Sequence, residues 1–214
     1  MKFNRLLKRL PFCVYPYKPY MHKYKCIFIH IPKNAGSSIM KMLGDSKGRF
    51  HVESGYYKQV NDFFYSRYHT FAIVREPLDR LFSAYQYSCN GGNKSVEDLV
   101  LAKLIKNNST DFLSFIDNIL DMHFIMEQPL FKPQYLYVYE RGVMNVDTIL
   151  YFESLEKNWS SFAEIHNLPT QLIQTNRSLL GEKIPILKNR HYEKVKQLYL
   201  PDYQLFKYKF INDC

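Results

Sequence analysis

The chain has 214 residues and a formal net charge of +9, from 29 Lys and Arg against 20 Asp and Glu. A hydrophobic content of 46 % excludes a disordered chain, and this length buries one substantial core but scarcely two. The four cysteines (Cys13, Cys26, Cys89, Cys214) show neither CxxC nor metal-ligand spacing, so reduced thiols and no metal site are expected.

Residues 1–25 read as a basic lead-in bearing Pro and Tyr. In it, Met1 to Leu10 set Lys2, Arg5, Lys8 and Arg9 among Phe3, Leu6, Leu7 and Leu10. That pattern suits a small amphipathic helix lying on a membrane surface, or a solvated tail. No apolar run reaches membrane-spanning length and no signal-peptide core begins the chain. A cytoplasmic location of the bacterial type, with peripheral contact to the inner membrane through the basic N-terminus, is the expectation, and a truncated form of a membrane-anchored chain is the alternative. Asn93-Lys94-Ser95 and Asn158-Trp159-Ser160 are glycosylation sequons only in a secreted chain.

From Cys26 an apolar run (Cys26-Ile27-Phe28-Ile29-His30-Ile31) predicts a buried strand that breaks at Pro32. Lys33-Asn34-Ala35-Gly36-Ser37-Ser38 follows, and then a helical pattern through Ile39, Met40 and Leu43. A strand, a small-residue loop and a helix start together hold phosphate, because the first-turn N–H groups and the helix dipole both favour an anion there. Gly36 lets the backbone come close, Ser37 and Ser38 add hydroxyl donors, and Lys33 adds a full charge. No Gly-Lys-Ser/Thr occurs, so this is not a Walker A loop. The plain alternative is a tight strand-to-helix turn.

His51 and Glu53 lie between this segment and the next predicted strand, ahead of a short helix from Glu53 to Val60. His69-Thr70-Phe71-Ala72-Ile73-Val74 reads as a second buried strand. Arg75 stands at its carboxyl end, followed by Glu76, and Pro77 suits the first position of a helix. Leu78, Leu81, Phe82 and Tyr85 then form one apolar face, with Asp79 and Ser83 one turn apart on another. In open α/β sheets ligands bind beyond the carboxyl ends of strands. Two such ends bearing anion-binding groups fit a ligand with phosphates at two places. Arg75 and Arg80, taken alone, read as surface ion pairs with Glu76 or Asp79.

The segment 89–134 opens with Asn90-Gly91-Gly92-Asn93 and predicts helices over roughly 95–106 and 111–121. Tyr135, Tyr137 and Tyr139 alternate as a strand face does. Ile149 to Glu153 predict a further strand, and the helix after it places Trp159 in the core with Leu155, Phe162 and Ile165. The basic stretch Lys188 to Lys196 reads as a solvated helix face, and Tyr199 to Phe210 close the core. His30 is expected to be packed and hydrogen-bonded, and His69 to begin its strand. His22, His123, His166 and His191 match no motif. The 18 Tyr and 16 Phe interleaved with Lys could stack bases, but no recognition module accompanies them and nucleic acid is not an expected partner.

Pro32-Lys33-Asn34-Ala35-Gly36-Ser37-Ser38 resembles the Pro-Lys-Thr-Ala-Gly-Thr-Ser loop of carbohydrate sulfotransferases, and Arg75-x-Pro77-x-x-Arg80-x-x-Ser83-x-Tyr85 resembles their second motif. Phe131-Lys132-Pro133-Gln134, the strand at 149–153 and Tyr199-x-x-Asp202-x-x-x-Phe206 extend the likeness over roughly residues 26–208. The resemblance implies a three-layer α/β/α domain over 26–214 with a mainly parallel sheet, like a P-loop kinase core. It implies 3′-phosphoadenosine 5′-phosphosulfate (PAPS) as donor, without a metal. Lys33, Asn34, Ala35, Gly36, Ser37 and Ser38 would hold the 5′-phosphosulfate, and Arg75 and Ser83 the 3′-phosphate. Arg190 would close over the nucleotide, with Asn176-Arg177-Ser178 approaching it. In these enzymes a His near position 51 is the catalytic base, which makes His51 the candidate and Glu53 its competitor. Lys33 would stabilise charge on the leaving phosphate, while 89–134 would shape the acceptor cleft. The acceptor would be a saccharide or polysaccharide, lipid-linked ones included. A nucleotide-dependent phosphotransferase and a catalytically silent glycan-binding protein are the alternatives.

Overall fold

The computed structural model describes residues 15–45, 51–172 and 183–209. The stretch Met1 to Leu10, Cys13, Asn176-Arg177-Ser178 and Cys214 lie outside the described residues. The chain divides into two compact units, one of Met1–Val74 with Gln134–Asn176 and the other of Arg75–Pro133 with Arg177–Cys214.

The first unit is built on a parallel sheet. Strand β1 (Cys26–Ile29) is buried throughout, and β2 (His69–Val74) is buried from Thr70 onward. They pair in parallel from Cys26↔His69 to Ile29↔Ala72. Runs of β-branched and aromatic residues without polar alternation are what a strand covered on both faces requires. The elements between them are α2 (Gly36–Met42), α3 (Ser54–Val60) and α4 (Asp62–Tyr65), preceded by α1 (Pro19–Tyr24). Asn61 starts α4 by accepting Phe64 N–H at 3.1 Å, so the polypeptide turns there rather than continuing α3.

Residues 15–25, read above as lead-in, are packed structure. Tyr17, Tyr20 and Met21 are buried, and the Tyr17 hydroxyl lies 2.9 Å from the carbonyl oxygens of both Tyr57 and Asn61 at the end of α3. Tyr57 O also accepts Asn61 N–H at 3.0 Å and Asn61 O also accepts Tyr65 N–H at 3.0 Å, so the phenol is a second donor to carbonyls that each have two lone pairs. Lys25, left-handed at φ 50°, ends α1 and turns the chain into β1.

After Gln134, α9 (Tyr135–Val138) makes one turn, and β3 (Tyr139–Glu140) and β4 (Val143–Met144) form a hairpin. The tyrosine alternation is therefore not a strand face: Tyr135 and Tyr137 lie on a helical turn, and only Tyr139 is in a strand. A short apolar run does not separate the two by periodicity. Strand β5 (Thr148–Tyr151) pairs in parallel with β2, giving the order β1–β2–β5. Its register is pinned by Asp147, whose Oδ2 accepts Thr70 N–H at 2.7 Å and Thr70 Oγ1–H at 2.8 Å. A 3-10 turn (Phe152–Ser154) leads into α10 (Leu155–Ile165). Trp159 is buried there, and its indole N–H donates to Pro169 O at 3.0 Å. Ile165 departs from the expected core set, being 74 % exposed.

The second unit is helical: α5 (Pro77–Cys89), α6 (Val96–Asn108), α7 (Phe112–Asn118), α8 (Met122–Glu127), α11 (Asn189–Leu198) and α12 (Leu200–Leu205). The expected helix over 111–121 is present but ends early, at Asn118, and a separate helix begins at Met122. Asp111 and Ser114 form a capping box that starts α7, and Asp121 then accepts Phe124 N–H at 2.7 Å to start α8. A second N-cap restarts the chain, and a pattern read only as apolar spacing passes over it. Leu81, Ile105, Phe115, Ile125, Phe131 and Tyr199 centre this unit's core.

The α/β class with a mainly parallel sheet is what the structure has: three parallel strands flanked by helices, with a two-residue antiparallel hairpin beside them. Among the described residues no helix is long and apolar enough to cross a membrane.

Candidate functional site

The chain leaves β1 through His30, Ile31 and Pro32, all buried, and reverses in the loop that follows. Lys33 and Ala35 both take left-handed backbone, at φ 70° and φ 58°. For residues with a Cβ this costs roughly 1–2 kcal/mol each, so something must hold them. Asn34, between them and fully buried, is that something. Its Nδ2 donates to Ile73 O and to Gln134 Oε1, each at 2.7 Å. The last β1–β2 pair is Ile29↔Ala72, so Asn34 supplies a donor to β2 one residue beyond it. Both Nδ2 hydrogens are thereby used, and the side chain latches the loop rather than facing a ligand. Asn34 Oδ1 has no hydrogen-bond partner among the described residues.

Helix α2 then starts without a cap. Its N-cap, Ala35, has no side-chain oxygen, while Ala35 O accepts Ser38 N–H at 3.0 Å and Ile39 N–H at 3.2 Å. The N–H groups of Gly36 and Ser37, at the first two helical positions, have no intrahelical acceptor. A left-handed residue followed by helical ones turns successive N–H groups to one side, which makes an anion-binding concavity. Lys33, Ser37 and Ser38 are half-buried around it. This donor set fits a phosphate or sulfate group.

Gly36 is required by close approach, not by its backbone angles. A Cβ placed there would lie 1.8 Å from Nε2 and 2.0 Å from Cδ2 of His30. The His30 ring also stacks on Phe28, with centroids 5.7 Å apart. His51 also packs on His30, with its ring centroid 4.5 Å away and its Nδ1 3.2 Å from His30 O. A carbonyl only accepts, so Nδ1 carries the hydrogen and, in the neutral ring, Nε2 carries the lone pair. That is the tautomer a general base needs. The competitor, Glu53, is exposed at the N-cap position of α3.

The second unit carries the other candidates. Arg75, half-buried, follows Val74 directly. Glu76 caps α5: its Oε2 accepts Asp79 N–H at 2.6 Å, and its Oε1 accepts the Tyr203 hydroxyl at 2.8 Å. Burial pushes the Glu76 carboxyl up from its ordinary value, and those two hydrogen bonds oppose the shift. Burial likewise drives the Tyr203 phenol far up. Ser83 is buried on the same helix. Arg80 is no surface ion pair: it is 1 % exposed and donates Nη2 to Leu130 O at 3.2 Å. Arg190 is exposed, and its Nη2 meets Asp117 Oδ2 at 2.6 Å. Its neighbour His191 is buried, accepting Lys188 N–H on Nδ1 at 3.2 Å with Nε2 at 3.2 Å from the same carboxylate.

Thus the first unit assembles residues 33–38 with His51, and the second assembles Arg75, Glu76 and Ser83 at the start of one helix. Sequence reasoning missed the Asn34–Gln134 latch, the His30 contact with Gly36, and the Glu76–Tyr203 pair. Gln134 and Tyr203 lie in or beside the stretches of likeness quoted above, but their residue types named no partner. Among the described residues no group of three or more His, Cys, Asp or Glu is placed to hold a metal ion.

Comparison with protein families gives a match over residues 20–209 to the model described as "Sulfotransferase family". No curated protein and no solved structure matches the chain.

Proposed function

The chain belongs to the sulfotransferase family, its family model spanning residues 20–209, and on that premise we propose that it moves a sulfuryl group from PAPS to a hydroxyl of a saccharide acceptor. The observation that carries the proposal is the union of an uncapped, anion-accepting loop with a histidine whose Nδ1 is committed to His30 O.

PAPS, when bound, supplies the activated sulfuryl group. The N–H groups of Gly36 and Ser37, with the Ser37 and Ser38 hydroxyls, bind its 5′-phosphosulfate end, and Lys33 offsets charge that grows on the leaving phosphate. Asn34 contributes through the backbone geometry it enforces. Arg75 meets the 3′-phosphate with its planar fork, and Ser83 adds a hydroxyl. Asp79 N–H and the Tyr203 hydroxyl hold the Glu76 carboxyl at its own helix start, where it caps α5. Arg190 joins the set by exchanging Asp117 for a phosphate oxygen. His51 takes the acceptor hydroxyl's proton on Nε2. The surplus of 29 basic over 20 acidic residues suits an anionic donor and an acidic glycan.

The test is calorimetric binding of 3′-phosphoadenosine 5′-phosphate against ADP and against ATP with Mg²⁺, which needs no acceptor. Preference for the 3′-phosphorylated nucleotide is expected. Preference for ATP with Mg²⁺ would replace the proposal with a phosphotransferase. Absence of any nucleotide binding would replace it with a silent glycan-binding protein.

A further inference from the structure

We infer that His30 is a positioning residue, a wedge whose ring couples the Lys33–Ser38 loop to the base His51. Its bearing on sulfuryl transfer rests on the function proposed above, whereas its bearing on the His51 ring does not.

Three contacts made by this one residue converge. The Nε2–Cδ2 edge of the His30 ring occupies the space where a side chain at position 36 would begin, 1.8 Å from an ideal Cβ. The same residue serves His51 twice: His30 O lies 3.2 Å from His51 Nδ1, and the two ring centroids are 4.5 Å apart. Phe28 backs the ring from within β1, where it is itself 1 % exposed. His30 thus touches both the first helical residue of the anion loop and the candidate base, and is buried at 5 % exposure.

A rigid wedge in that place has a mechanical consequence. Position 36 cannot move further onto the ring without displacing it, and His51 cannot swing away without leaving its carbonyl partner. A ring displaced by the loop would carry the His30 backbone, and the tautomer-fixing carbonyl, with it. Anion binding in the loop and the aim of His51 Nε2 are therefore set by one side chain. Rate is steep in such placement, since a shift of about 1 Å in a reacting group costs about a hundredfold.

The experiment uses the full chain with His30→Ala, His30→Gln, Gly36→Ala and the double variant His30→Ala/Gly36→Ala. Glutamine sets an amide nitrogen close to where His30 has Nε2, so it refills the wedge if the bulk there is what matters. The first readout is the ¹⁵N spectrum of the His51 ring, assigned by comparison with His51→Ala. Wild type is expected as the Nδ1–H tautomer, His30→Ala as a tautomer mixture, and His30→Gln close to wild type. The second readout is calorimetric binding of 3′-phosphoadenosine 5′-phosphate. Gly36→Ala is expected to lose it through the clash, and the double variant to regain most of it because the ring is gone. The third is release of that nucleotide from PAPS with water as acceptor. It should fall about a hundredfold in His30→Ala while nucleotide binding stays near wild type. A His51 ring spectrum unchanged by His30→Ala overturns the inference, as does a double variant no better than Gly36→Ala. If wild type binds no 3′-phosphorylated nucleotide, the proposed function falls, and the ring spectra alone still decide the role of His30.

Discussion

Removing the Asn34 amide tests the loop most directly. Asn34→Ala deprives two buried acceptors, Ile73 O and Gln134 Oε1, of donors that stand at 2.7 Å. Each buried acceptor that loses its donor costs about 1–3 kcal/mol, so the pair is worth about 3 kcal/mol after the relief of the unpartnered Oδ1 is allowed for. At about 2–4 °C per kcal/mol for a chain of this size, the melting temperature should fall by roughly 6–12 °C. Gln134→Ala removes one of the two bonds and should cost about half as much, and the double variant should cost less than the sum. The same change frees Lys33 and Ala35 from left-handed backbone that costs roughly 1–2 kcal/mol each, so binding of 3′-phosphoadenosine 5′-phosphate should weaken beyond what stability explains. Differential scanning calorimetry and titration calorimetry on the same samples read both. An Asn34→Ala protein that melts within about 2 °C of wild type and binds nucleotide equally well would refute the latch.

His51→Ala should lower transfer from PAPS by about 10²–10⁴-fold while leaving nucleotide affinity intact, and an equal loss of both would assign His51 to binding. Arg75→Ala should weaken 3′-phosphoadenosine 5′-phosphate by about 2 kcal/mol, or thirtyfold, with adenosine 5′-phosphate nearly unaffected; equal effects on the two would remove Arg75 from the 3′-phosphate. His69 and His166 stack at 3.8 Å between centroids, and burial holds both below their ordinary value of 6.5, with the His166 charge adding to the effect on His69. The unfolded chain therefore takes up protons first as pH falls. Stability should be complete above pH 6.5 and drop as pH falls below it, and His166→Phe should flatten that slope in pH-resolved melts. Glu76 has the opposite sign: its raised carboxyl favours the fold most below its ordinary value of 4.5 and loses that contribution as pH rises through the raised value. Glu76→Gln should remove this component, seen as a gain over wild type that grows with pH.

Much of the framework was legible in the chain because it is recorded locally. Buried strands announce themselves as unbroken apolar runs, and β1, β2 and β5 lie close to where those runs predict them. Helix α5 follows from Pro77 and an apolar face at i, i+3, i+4 and i+7. The residue types that suit an anion, Lys33 through Ser38 and Arg75, are equally visible, since small residues and basic groups at strand ends carry their chemistry without any partner.

Direction and partnership were not legible. Sequence alone read Asn34 as a binding residue, offered a surface ion pair for Arg80 only when that residue is taken by itself, and read His30 as packed and hydrogen-bonded. The fold turns Asn34 inward to Ile73 and Gln134, buries Arg80 on Leu130 O, and sets His30 between Gly36 and His51. Glu76 reads only as an ion-pair partner for Arg75 or Arg80 until Tyr203, 127 residues away, is seen donating to it. Periodicity records only which face of an element is apolar. Which buried donor meets which acceptor depends on elements 39, 100 or 127 positions apart in the chain, and is decided when tertiary packing leaves each buried polar group the partners that remain within reach.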